Sequence, residues 1–96
     1  VSAEQAKEYA QIAALNALAA IDAEVGIDNV TRVIKVVGFV SSAPDFYEQA
    51  VVINGASELI GEIFGEAGAH ARSAVGVAVL PKDSPVEIEV IVEFSK

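Results

Sequence analysis

Four regimes of apolar and polar spacing follow one another along the chain. From Ala3 to about Glu24, Ala6, Ala10, Ala13, Ala17 and Ile21 recur at threes and fours, and Glu4, Lys7, Glu8 and Gln11 give the early turns a polar side. That period is helical, and an alanine- and leucine-rich composition favours it. Ser2 with Gln5 forms a capping box, and Gly26 is placed to end the helix. Asn29–Ser41 changes character, with Val30, Val33, Ile34, Val36, Val37, Phe39 and Val40. A β-branched run that is apolar on both sides predicts a mostly buried strand. Ser41-Ser42-Ala43-Pro44-Asp45 reads as a turn.

From Phe46 to about Gly65 the helical spacing returns through Val51 or Val52, Ala56, Leu59, Ile60 and Ile63. Gly55 and Gly61 weaken that helix by roughly 1 kcal/mol each relative to Ala, which points to close packing there. His70–Leu80 alternates Ser73, Val75, Val77 and Val79 against Arg72, Ala74, Gly76 and Ala78. Val86–Phe94 alternates Val86, Ile88, Val90, Val92 and Phe94 against Glu87, Glu89, Ile91 and Glu93, with Pro81–Pro85 expected as a hairpin loop between the two strands. The element order is αβαββ, an α+β sandwich in which two helices cover one face of a sheet. Residues 1–96 read as a single domain without linker, repeat or low-complexity segment.

If the last two strands pair as a hairpin with Val79 opposite Val86, then Val77 meets Ile88, Val75 meets Val90 and Arg72 meets Glu93. Directly opposed residues share a face, so the valines of both strands are expected beneath the helices. The opposite face then carries Ala74, Gly76 and Ala78 with Glu87, Glu89 and Glu93. Small residues around a solitary Arg72 leave room for a ligand or another subunit. The plain alternative for Arg72 is a cross-strand ion pair with Glu93, worth roughly 0.2–1 kcal/mol. In this register Glu87 lies roughly 20 Å from Arg72 along the strands. One small ligand reaches both only at a seam between chains.

Composition narrows the chemistry. The chain is 53% hydrophobic, with a mean hydropathy of +0.48, too apolar for disorder and long enough for one small core. Fourteen Asp and Glu against six Lys and Arg give a net charge of −8, which lacks the cationic footprint of a nucleic-acid binder. With no cysteine there is neither a disulfide nor thiolate chemistry, and a cytoplasmic location is expected. A lone histidine does not make a His-rich metal site, so no metal and no cofactor are expected. Gly65, Gly68 and Gly76 lack the spacing of a phosphate loop and the Lys-Ser/Thr that follows one. Ile12–Ile21, the most apolar helical stretch, is half the length of a bilayer crossing, and the polar Val1–Lys7 is unlike a signal peptide. The sequence contains no methionine, even at position 1, as in a processed start or part of a longer protein.

Several segments together resemble a known family. Ile53-Asn54-Gly55-Ala56-Ser57, His70-Ala71-Arg72-Ser73-Ala74-Val75-Gly76-Val77, Leu80-Pro81 and Val86-Glu87-Ile88-Glu89 are similar to the YjgF/Rid (reactive intermediate deaminase) superfamily. Val33 to Phe46 is similar to its YjgF-like endoribonuclease (L-PSP-like) branch. The resemblance implies a chorismate-mutase-like fold assembled as a homotrimer, with clefts between subunits. It implies that Arg72 grips the carboxylate of a 2-imino or 2-enamino acid, a planar anion that suits a guanidinium better than an ammonium. By the same resemblance Glu87 positions the hydrolytic water, Asn54 supports the site, and Ala74 lines it where many relatives carry cysteine. Gly76 stands where many have an acidic residue. Family members usually open with a β-hairpin bearing Ser-Gly-Gln, whereas this sequence starts at the first helix.

Each residue also has a simpler reading. Asn54 would cap a helix start; Glu87, Glu89 and Glu93 would be solvated strand carboxylates; His70, in a helix-to-strand connection, would be structural; Tyr9 and Phe46 would pack. Three functions follow: hydrolytic deamination of imines or enamines, a non-catalytic trimeric module binding small carboxylates or partner proteins, and the ribonuclease action that the branch name implies. The acidic charge places the last of these third.

Overall fold

The computed structural model describes Val1–Ser95. Its elements are α1 (Ala3–Val25), β1 (Val30–Ser41), α2 (Gln49–Phe64), β2 (Ala71–Val77) and β3 (Val86–Phe94), with short 3-10 turns between them. The order is the expected αβαββ, and two helices pack against one mixed three-stranded sheet.

The start of α1 is the anticipated capping box. Ser2 Oγ accepts the Gln5 N–H at 3.1 Å, and Gln5 Oε1 accepts the Ser2 N–H at 3.0 Å. Gly26, at φ 82°, ends the helix in a conformation that side chains avoid. Its buried line is Ala6, Ala10, Ala14 and Leu18. Ala13, Ala17 and Ile21 only flank that line, half-buried, because the helix meets its neighbours along a single ridge four residues apart.

The sheet order is β2-β1-β3, which overturns the expected hairpin. β1 runs parallel to β2, with Val36 opposite Arg72 and Phe39 opposite Val75, and antiparallel to β3, with Val36 opposite Val90 and Val40 opposite Val86. Arg72 therefore does not meet Glu93, whose partner in register is Arg32. Segment 78–85 crosses the end of β1 instead of turning back on β2. Both of its ends are tied there: Ser42 N–H donates to Val77 O at 2.8 Å, and Ser41 N–H donates to Pro85 O at 2.9 Å. The physical reason lies in β1 itself. A strand apolar on both sides is stable in the middle of a sheet, where both edges find partners.

This topology also inverts β2 relative to expectation. Val86, Ile88, Val90 and Val92 of β3 do face the helices, as anticipated. In β2, however, it is Arg72, Ala74 and Gly76 that turn toward α2, while Ser73, Val75 and Val77 share the open side of the sheet with Val37, Phe39, Glu87 and Glu89. Close approach of α2 explains the small residues. A Cβ on Gly76 would lie 2.7 Å from Gln49 Nε2, and one on Gly38 would overlap the Ile53 side chain.

Ile53, Ile60, Val33, Val36 and Val52 form the fully buried centre, each side chain contributing about 1.5–3 kcal/mol by leaving water. The helices touch where Gly55 of α2 lies against the backbone of Lys7, and Lys7 Nζ spans the contact to Glu58 at 3.3 Å. Gly61, by contrast, faces open space, so only Gly55 marks close packing.

The two glycines make a paired prediction. Gly55→Ala drives a methyl into the Lys7 carbonyl and should lower stability by about 1–3 kcal/mol. Gly61→Ala removes backbone freedom without a clash and should raise stability by about 0.5–1 kcal/mol. Urea-unfolding midpoints of the two variants, shifting in opposite directions, are the check.

Candidate functional site

Arg72 projects from edge strand β2 toward α2, where its Nη1 donates to Asn54 Oδ1 at 2.7 Å and more weakly to Ser57 Oγ at 3.4 Å. Asn54 and Ser57 stand one helical turn apart on α2 and so present to the same side. Ser57 Oγ in turn lies 3.0 Å from His70 Nε2, and His70 Nδ1 lies 2.6 Å from the Gly68 carbonyl. A carbonyl only accepts, so Nδ1 carries a proton there; in neutral His70, Nε2 then accepts from the Ser57 hydroxyl. The guanidinium is thus the end of a chain running from the Gly68 carbonyl through His70 and Ser57, with Asn54 as its second anchor.

Every partner of Arg72 in this cluster is neutral. Among the described residues the ion pair is Lys7–Glu58, on the other flank of α2. Glu93 is engaged elsewhere, its Oε1 accepting the Thr31 hydroxyl at 2.8 Å. The expected Arg72–Glu93 pair is therefore replaced by amide and hydroxyl contacts that orient the cation without cancelling its charge. Arg72 is exposed and retains donors for a bidentate anion.

Of the other expected site residues, Asn54 lies inside α2 and not at its start, so the cap reading is corrected: the residue before the helix is Glu48, which makes no side-chain cap. Ala74 sits two residues from Arg72 on the same face, half-buried against the core cluster. Glu87 does not join them. It pairs with Phe39 on the far side of β1 from β2 and shares that residue's open face. Two strand spacings and a three-residue offset separate it from Arg72 by about 14 Å between backbones, on opposite faces; the distance of roughly 20 Å along one hairpin does not apply. Phe46 packs on the core as expected, whereas Tyr9 is 39% exposed.

Ser57 escaped the sequence reading, although the spacing held its signal. Asn54 and Ser57 three apart on a helix, with His70 just before β2 and Arg72 within it, place two polar pairs on facing surfaces. Farther along β2, Ser42, Phe46, Gln49 and Gly76 border an open hollow of about 370 Å³. Among the described residues no group of His, Asp and Glu is arranged to hold a metal ion, and no helix is long and apolar enough to cross a membrane.

The domain is thus an α+β fold in which two helices cover one face of a mixed three-stranded sheet, with an edge-strand arginine held by a helix asparagine. The family model for Endoribonuclease L-PSP matches residues 2–94, and the chain belongs to that family. It is 48% identical over 88 residues to Protein TCP17 of Trypanosoma cruzi, covering 90% of this chain and 55% of that protein. Its fold superimposes with a TM-score of 0.98 on Atu1372 of Agrobacterium tumefaciens, a protein of unknown function, at 47% identity over 100% of this chain and 62% of that one. The TM-score is 0.94 with a "putative endoribonuclease" from Shewanella oneidensis, at 26% identity over 98% of this chain and 63% of that one. The chain thus spans rather more than half the length of these relatives.

Charge at position 54 is the sensitive variable of this cluster. Asn54→Asp should leave the urea midpoint within about 1 kcal/mol, as exposed ion pairs do. If Arg72 takes a small carboxylate, that binding should also weaken at least tenfold, because the guanidinium is then already neutralised. Calorimetric titration with 2-oxobutanoate, beside the unfolding curve, reads both.

Proposed function

We propose that Arg72 captures the carboxylate of a 2-imino or 2-enamino acid and that the protein hydrolyses it to a 2-oxo acid and ammonia, in a cleft between copies assembled as a homotrimer. The observation that carries this reading is a cation oriented by neutral groups alone in a chain of net charge −8. A guanidinium kept from the many carboxylates of its own chain is suited to an outside anion.

In this reaction an enamine first tautomerises to the imine. Water adds its oxygen to the C=N carbon as Glu87, supplied by a neighbouring copy, takes its proton. Protonation of the nitrogen and collapse of the carbinolamine then expel ammonia and form the C=O bond. Overall, imine plus water yields ketone plus ammonia, and no redox partner is required. The neighbouring copy is needed because Arg72 and Glu87 of one chain lie on opposite faces, about 14 Å apart.

An uncovered apolar surface supports the assembly. The sheet face away from the helices carries Val75 at 42% and Ile91 at 45% exposure, beside half-buried Val37, Phe39 and Val77. Contiguous apolar side chains of this kind mark a contact surface. The word endoribonuclease attaches to the family and to the Shewanella structure, but a net charge of −8 disfavours grip on a polyanion.

Release of 2-oxo acid from an imine generated in place by an amino-acid oxidase tests the chemistry. The protein should accelerate release, Arg72→Ala should lower kcat/KM by about 100-fold or more, and Glu87→Gln should act mainly on kcat. No acceleration above buffer removes the hydrolysis; 2-oxo acid binding without turnover leaves a carboxylate-binding module; RNA cleavage that disappears in Arg72→Ala favours the ribonuclease. Light scattering should give three times 9.9 kDa for this chain, and Val75→Glu, a charge placed on the open face, should shift the mass toward a single copy.

A further inference from the structure

We propose that Ser57 and His70 are positioning residues for the carboxylate clamp, a role that rests on the reading of Arg72 as the carboxylate-binding group. Arginine is long and flexible, and an exposed one ordinarily samples many rotamers. A bidentate carboxylate engages it productively in only a few of these. Asn54 holds Nη1 at one point, 2.7 Å away, and one hydrogen bond leaves the plane of the guanidinium free to turn about it. Ser57 Oγ, 3.4 Å from the same nitrogen, supplies the second point that resists this rotation.

A serine hydroxyl is itself a free rotor, and its lone pairs face Nη1 only if its proton is directed elsewhere. His70 provides that direction. With Nδ1 donating to the Gly68 carbonyl at 2.6 Å, Nε2 is left as the acceptor 3.0 Å from Ser57 Oγ. The ring is therefore held in one tautomer, the tautomer fixes the hydroxyl proton, and the hydroxyl lone pairs fix the guanidinium. Gly68, which carries the first acceptor of the chain, is buried against the end of α2, where a Cβ would lie 2.7 Å from the Ile60 carbonyl. Such a relay, ending on a substrate-binding cation, follows the same logic as the outer groups that orient metal ligands.

Neither Ser57 nor His70 touches the reacting carbon in this arrangement. Their effect falls on how well the carboxylate is held in both ground and transition states, so it appears in KM and not in kcat. Ser57→Ala should raise KM in the imine assay, and Kd for 2-oxobutanoate, by about tenfold, with kcat within about twofold and an unchanged melting temperature. Ser57→Thr, which keeps the hydroxyl, should restore KM to within about threefold. His70→Phe, which keeps an aromatic ring but removes the acceptor, should reproduce the Ser57→Ala defect. Wild-type KM and Kd in Ser57→Ala, alongside binding lost in Arg72→Ala, overturn the relay while sparing the carboxylate site. Unchanged 2-oxobutanoate affinity in Arg72→Ala overturns both. A Ser57→Ala defect that Ser57→Thr does not repair, or that tracks a fall in melting temperature, also overturns the relay.

Discussion

The arrangement of this domain depends on β1 having a hydrogen-bonded neighbour along each edge. Its helix-facing residues Val33, Val36 and Val40 are buried, and its backbone pairs with β3 along most of its length and with β2 from Lys35 to Ser41. Over that second half the strand has no free edge, and the helices remove water from one of its faces. Everything else is placed relative to it. α2 carries the chain back for a parallel β2, segment 78–85 passes over the end of β1 to begin β3, and the two outer strands never meet.

That central position decides the chemistry as well as the topology. Keeping β2 at an edge, directly under α2, requires small side chains where the helix approaches, and Ala74 and Gly76 meet the requirement. Nearer the start of β2, the facing turn of α2 offers Arg72 the side chains of Asn54 and Ser57, so the guanidinium meets a polar wall in place of an apolar one. Gly38 serves the mirror purpose on β1, where it accommodates Ile53. Close packing and the candidate site thus share one element, α2, laid over β1 and β2.

Much of the fold could be read in the sequence because it is written in local periodicity. The capping box at Ser2 and Gln5, the stop at Gly26, both helices and all three strands follow from spacing alone. Strand order does not, because two strands joined by a short proline-bounded loop look like a hairpin whether or not a third strand lies between them. The two-sided apolarity of β1 was the contrary sign: a strand of that kind needs the middle of the sheet. The error carried into the site. It set Arg72 against Glu93 and put the wrong face of β2 beneath the helices, whereas the backbone pairs Glu93 with Arg32. Arg72 stands out in the strand pattern as a lone cation among small residues, whereas Asn54 stands out only through family likeness. Ser57 was overlooked because serine is common on helices and its significance appears only when α2 faces β2.

Arg72 and Glu87 of one chain are apart in the observed sheet as they are in the expected hairpin, though for a different reason. In a hairpin they would have been distant along adjoining strands, a separation that a bulge or a long ligand could shorten. With β1 between them they lie on opposite faces of one sheet, two strand spacings apart, and a slip of register leaves β1 between them. Arg72 is left with donors free beside α2, while Glu87 stands among apolar side chains on the uncovered face. The two groups therefore meet different surroundings, the cation a polar wall of α2 and the carboxylate the uncovered side of the sheet.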